Sequence, residues 1–83
     1  MGREIIRLKD FRGKEQECKS LQIDAVPQPA TKEMFWGIVA IGYDGIRRTT
    51  LYLLPSEYEL KKKFNEVQRE YMEKVKKQYS EYA

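Results

Sequence analysis

The chain has 83 residues, a net charge of +3, 41% hydrophobic residues and 12% aromatic ones: enough for one small core, and too apolar for wholesale disorder. A single cysteine and no histidine exclude an internal disulfide, a zinc site and the commonest general base. No apolar run approaches the roughly 18 residues of a membrane span, and charges stand where a signal peptide would be apolar. A cytoplasmic (intracellular) protein with no membrane segment, no metal and no cofactor is expected.

The charge is evenly spread. Residues 1–30 carry six basic and five acidic groups, 31–54 three and two, 55–83 seven and six, so each third is +1 and counting reveals no basic tail.

In chain order, residues 3–11 read as a strand, with Ile6 and Leu8 on one face and Ile5, Arg7, Lys9 and Phe11 on the other. Arg12-Gly13-Lys14 is a turn signal. Residues 17–26 form the second strand, with Leu21, Ile23 and Ala25 on one face and Ser20, Gln22 and Asp24 opposite; Cys18 reads as a small apolar filler. Pro27-Gln28-Pro29 ends it, since proline cannot donate to a ladder. Residues 34–43 are apolar on both faces, as in a central strand.

Asp44-Gly45 then predicts a type I′ hairpin turn into a fourth strand, 46–53. A two-residue loop sets the pairing. Tyr43 meets Ile46, Ile41 meets Arg48, Val39 meets Thr50 and Gly37 meets Tyr52. The alternate pairs, ending in Ile38 with Leu51 and Trp36 with Leu53, are assigned to the core.

Ser56 and Glu59 form a capping box for a helix over 57–82, about 39 Å long at 1.5 Å per residue. Its apolar stripe is Leu60, Phe64, Val67, Tyr71 and Val75, extended by Tyr79 and Tyr82. Four Glu–Lys pairs at i,i+4 make Lys61-Lys62-Lys63 read as part of a solvated face. A strand of about 20 Å cannot cover such a helix. Its last turns are expected to seek a partner, with Tyr71, Val75, Tyr79 and Tyr82 as a homodimer interface. Sheet edges offer a second route. The fold expected for this single domain, residues 1–83, is therefore α+β: a four-stranded antiparallel meander followed by one long C-terminal amphipathic helix.

Catalytic chemistry is poorly provided. Asp10, Asp24 and Asp44 sit at strand ends or turns, the glutamates cluster on the helix, and Ser20, Ser56 and Ser80 have no histidine to activate them. A binding module, not an enzyme, is expected. The suggestive surface is the second face of the hairpin, where Phe35, Tyr43 and Tyr52 lie with Arg48. Aromatic rings that stack bases, beside cations that follow phosphates, are the chemistry of single-stranded nucleic-acid binding. Lys9, Arg12, Lys14 and Arg47, with Arg7, could supply backbone contacts. Val39 and Ile41 share that face, so cover by a second layer or a partner subunit is the competing reading.

Ile5-Ile6-Arg7-Leu8-Lys9-Asp10-Phe11-Arg12-Gly13-Lys14 resembles the first strand and turn of positive cofactor four, a single-stranded-DNA-binding transcriptional coactivator family. Leu51-Tyr52-Leu53-Leu54-Pro55-Ser56-Glu57-Tyr58-Glu59-Leu60-Lys61-Lys62 is similar to its last strand and helix start. An order of four strands and a helix is shared with the whirly and Pur-type single-strand binders, which act as dimers. The resemblance covers about a third of the chain; residues 18–31 have no counterpart and the helix is longer. It implies that Lys9, Arg12, Lys14, Arg48 and Tyr52 line a groove for single-stranded DNA or RNA, in a homodimer that works in transcription regulation or genome maintenance. The alternative is a protein-interaction module (a small regulator, inhibitor or accessory subunit) using the Tyr-rich helix or the apolar sheet face.

Overall fold

The computed structural model describes residues 5–27, 30 and 33–82, with side chains as far as residue 78. Five strands precede one helix: β1 (Arg7–Lys9), β2 (Glu15–Glu17), β3 (Ser20–Pro27), β4 (Met34–Ile41), β5 (Arg48–Leu54) and α1 (Glu57–Tyr82). They make two antiparallel sheets, a β1–β2 hairpin and a three-stranded sheet in the order β3-β4-β5. The expected four-stranded meander is therefore corrected, and with it the resemblance to positive cofactor four and the whirly fold, which rested on four strands in one sheet. The expected first residue of strand one, Arg3, lies outside the described residues.

The cause is a change of parity. Gln16 in β2 and Cys18 just past its end point inward, whereas Leu21 shares a face with the core in β3. Residues 18 and 21 cannot both face one side of an unbroken strand, whose side chains alternate with period two. The chain bends at Lys19, so what reads as one strand pairs with β1 before the bend and with β4 after it. Single hydrogen bonds tie the two sheets together. Lys19 N–H donates to the Ile41 carbonyl at 2.7 Å, and Phe11 N–H donates to the Leu51 carbonyl at 2.9 Å.

The β4–β5 register begins as expected, with Ile41 opposite Arg48, Ala40 opposite Thr49 and Val39 opposite Thr50. It then slips: Ile38 faces Tyr52, Gly37 faces Leu53, and Trp36 faces Leu54. Leu51 is the extra residue of a β-bulge, and beyond it every side chain of β5 changes face. Tyr52 and Leu54 pack toward the core in place of Leu53. Leu53, 49% exposed, lies on the outer face against Gly37. The turn before β5 also differs from the expected type I′. Gly45 N–H donates to the Gly42 carbonyl and Gly42 N–H to the Arg47 carbonyl, so residues 43–46 form a four-residue loop. The sum of paired residue numbers is the same for both loops, which is why the register at its mouth is unchanged.

Leu8, Cys18, Ile38, Ala40, Leu51, Leu60 and Val67 form the core, with Leu21, Trp36, Tyr52, Leu54, Phe64 and Tyr71 packed against it. The N-cap half of the capping box forms: Glu59 N–H donates to Ser56 Oγ at 3.2 Å, and that hydroxyl donates to the Glu59 carboxylate at 3.4 Å. Helix and hairpin then support each other. Tyr71 donates its hydroxyl to the Lys19 carbonyl, and Lys74 Nζ donates to the Arg7 carbonyl. The hairpin thus lengthens the platform under α1 beyond what the three-stranded sheet alone provides.

Candidate functional site

The expected aromatic face does not assemble. Phe35 and Arg48 stay on the outer face of the sheet, where the Arg48 guanidinium pairs with Asp24 at 2.9 Å. The pair reaches diagonally across β4, on the face that carries Val39. Tyr43 lies in the β4–β5 loop, its hydroxyl oxygen accepting the Ile6 N–H at 3.1 Å. Arg47 is exposed beside it. Tyr52 is carried to the opposite face by the bulge. Lys9, Arg12, Lys14, Arg48 and Tyr52 consequently do not line one groove.

What the bulge separates on one face it joins on the other. The Tyr52 hydroxyl lies 3.5 Å from the Lys9 carbonyl, and Lys63 Nζ sits 4.4 Å from the centroid of the Tyr52 ring. The Leu51 carbonyl, one residue earlier, holds the N–H of Phe11. Phe11 is 60% exposed, with the Arg12 guanidinium 5.1 Å from its ring centroid. Lys14 completes the turn. The tip of the β1–β2 hairpin therefore gathers two rings, each with a cation over its face, and two further lysines. Phe11 and Lys63 were missed as site residues. Phe11 read only as an outward strand residue, and Lys63 as one charge of a solvated helix face.

Asp10 builds this tip. Its Oδ1 accepts the N–H groups of Arg12 at 2.9 Å and Lys14 at 3.0 Å, and its Oδ2 accepts the Gln16 amide at 3.1 Å. The backbone closes the turn with Asp10 N–H to the Lys14 carbonyl and Gly13 N–H to the Asp10 carbonyl, both 2.9 Å. Gly13 takes φ +80°, a left-handed conformation that costs a residue with a Cβ about 1–2 kcal/mol. Asp10 is only 8% exposed. Burial raises its carboxyl pKa, but the bonds from Gln16, Lys14 and Arg12 and the Arg12 charge outweigh that and hold it below the ordinary value. The carboxylate is committed to structure, and the cations it organises point outward.

A concavity of about 300 Å³ lies between the hairpin and α1, lined by Ile5, Ile6, Arg7, Glu15, Lys74 and Lys77 with Gln78. Its charges are balanced. Glu17 stands opposite Arg7 in the ladder, Glu70 is 3.9 Å from Lys74, and Glu15 is in the lining. The hairpin tip has acidic neighbours as well, Glu15 opposite Lys9 in the ladder and Glu66 3.5 Å from Lys63, but it adds two aromatic rings that the concavity lacks.

Of the expected dimer residues, Tyr71 and Val75 are half-buried within the chain's own packing, and the side chains of Tyr79 and Tyr82 lie outside the described residues. Cys18 is fully buried; burial pushes its thiol up to about 11, and its Sγ donates to the Ser20 carbonyl at 3.3 Å. Among the described residues no group of three or more His, Cys, Asp or Glu side chains could hold a metal ion, and no helix is long and apolar enough to cross a membrane. Compared with protein-family models, curated proteins and solved structures, the chain matches none.

Proposed function

We propose that this protein is a non-enzymatic module that binds single-stranded nucleic acid through the tip of its β1–β2 hairpin. The observation that carries the reading is the juxtaposition of Phe11 and Tyr52, joined through Leu51, with Lys9, Arg12, Lys14 and Lys63 around them. Base stacking on such rings contributes about 1–3 kcal/mol each and tolerates any sequence. The cations over the rings are held loosely, since exposed cation–π pairs contribute about 0.5–1 kcal/mol. A base can displace them: Arg12 then meets a flanking phosphate, while Lys63 keeps its partner Glu66, 3.5 Å away. A duplex hides its base faces, so the single strand is the preferred form.

The test is a titration of a labelled single-stranded oligonucleotide and its duplex at about 50 and 200 mM salt, a range over which phosphate contacts weaken measurably. Single-strand binding that weakens with salt, and that Phe11→Ala and Tyr52→Leu each reduce, is the expected result. Binding that is absent at low salt, or indifferent to both substitutions, would overturn it. The apolar outer face around Phe35 and Leu53 would then be the surface to pursue, with a protein partner.

A further inference from the structure

Among the described residues, β3 is an outer strand: it pairs with β4 on one side and with no strand on the other. The edge is eight residues long, about 26 Å at 3.3 Å per residue, and its ladder to β4 runs without a shift. Strand edges of this kind are templates for pairing unless lysines, prolines or bulges blunt them. β3 has no lysine and no bulge, and its proline, Pro27, stands at the very end. The other outer strand is treated differently, because β5 is bulged and spends its Leu51 carbonyl on the hairpin. At the middle of β3, Ile23 is 42% exposed although its cross-strand partner Ile38 is fully buried.

We propose that β3 is a self-association edge, on which a second copy of the chain adds antiparallel about a two-fold axis through Ile23, giving one continuous six-stranded sheet. The register follows from symmetry. A two-fold axis perpendicular to the sheet returns each face to its own side, so the residues that meet must share a face. The axis can then pass through a residue but not between two. Centred on Asp24, it sets two carboxylates directly opposite each other. Centred on Gln22, it pairs a shorter stretch, residues 20–24. Centred on Ile23, it pairs residues 20–26, with complementary partners over 21–25 and Ser20 opposite the partner's Val26 at each end. Ile23 meets the partner's Ile23, and Leu21 meets the partner's Ala25, on the helix side. On the outer side Gln22 meets the partner's Asp24, an amide donor against a carboxylate. Gln22 Nε2 already reaches Asp24 Oδ1 of its own chain at 3.4 Å, so the geometry suits that donor. This inference stands independently of the nucleic-acid reading.

The test uses the full chain. Light scattering from micromolar to hundreds of micromolar protein is expected to give a dimer mass for the natural sequence. Ile23→Lys, which sets two ammonium groups opposite each other, is expected to give a monomer with an unchanged circular dichroism spectrum. Ile23→Cys is the decisive variant, because the native Cys18 is fully buried and the new thiol is the reactive one. With oxidised glutathione as the oxidant, two such thiols join in one intermolecular disulfide as glutathione is reduced. A covalent dimer forms readily from Ile23→Cys and poorly from Gln22→Cys, whose copies are two positions out of register. A monomer mass for the natural chain across the range would overturn the proposal. So would a dimer that Ile23→Lys leaves intact and Ile23→Cys does not cross-link. If Ile23→Lys fails to fold, the contrast between the two cysteine variants still decides.

Discussion

The two loops that close the hairpins of this chain use the same local chemistry to different ends. In each, an aspartate oxygen accepts two backbone N–H groups, from Arg12 and Lys14 at the β1–β2 tip and from Ile46 and Arg47 in the β4–β5 loop. In each, a glycine takes a left-handed conformation, φ +80° at Gly13 and +75° at Gly45. Both aspartates bond only within their own hairpins, and the attachments to the rest of the molecule come from other groups. Asp10 is nearly buried and also bonded to Gln16, and its neighbour Phe11 is tied to Leu51, whereas Asp44 is exposed and serves its own loop alone. The β4–β5 loop is attached instead through Tyr43, whose hydroxyl takes the Ile6 N–H. Turn chemistry shapes a loop; attachments beyond the turn decide whether it can serve as a fixed platform.

Leu51 of β5 holds the β1–β2 tip to the main sheet, so the largest expected effect is there. Leu51→Ala empties a fully buried site and should cost about 2–5 kcal/mol in denaturant unfolding, with the hairpin tip losing protection from hydrogen exchange first. Next comes the contrast between the aspartates. Asp10→Ala orphans two backbone donors and an amide in a nearly closed site, and is expected to lower the unfolding midpoint more than Asp44→Ala, whose freed donors reach water. Equal losses would remove the distinction between a platform and a loop.

Acid titration adds the sign. Both carboxyls lie below their ordinary values in the folded chain, Asp10 against the opposing effect of burial and Asp44 through the Arg47 and Ile46 N–H groups. The stability each contributes is therefore fully present above about pH 5, where an unfolded aspartate is ionised, and is lost as pH falls through the folded value. Asp10→Asn should flatten the acid limb of the stability curve; an unchanged limb would contradict the assignment. Among smaller effects, Gly13→Ala and Gly45→Ala meet no atom within 4 Å of the added Cβ, so backbone strain alone acts, and the two losses should match at about 1–2 kcal/mol by urea unfolding. Tyr43→Phe leaves the Ile6 N–H without its acceptor and should cost about 1 kcal/mol by the same measurement.

Much of the fold follows from local rules that a sequence carries openly. The N-cap of Ser56 to Glu59, the stripe Leu60, Phe64, Val67, Tyr71 and the inward Ile6 and Leu8 are all matters of spacing. The parity change between Cys18 and Leu21 was also there to be read, and it marks the bend that divides one apparent strand into β2 and β3. The bulge at Leu51 was not. Thr50-Leu51-Tyr52-Leu53-Leu54 supports either register, since Leu51 and Leu53 alternate as well as Leu51 followed by Tyr52 and Leu54. What favours the slip is tertiary: the Leu51 carbonyl meets the Phe11 N–H of a hairpin that no local pattern places there. That one slipped residue moved Tyr52 away from Phe35 and Arg48 and set it beside Lys9 and Lys63. The chemistry of Lys9, Arg12, Lys14 and Tyr52 was thus legible in the sequence, and their arrangement was not.

The hairpin tip as the nucleic-acid interface is tested most directly by pairing two charge-removing variants in one fluorescence-anisotropy titration. One, Lys9→Gln with Arg12→Gln and Lys14→Gln, strips the tip; the other, Arg47→Gln with Arg48→Gln, strips the β4–β5 loop and its edge. The expected result is weaker single-strand binding for the tip variant, with a log–log salt slope about 2 lower, and near-natural affinity and slope for the loop variant. The reverse ordering, or equal losses from both, would contradict the hairpin-tip interface.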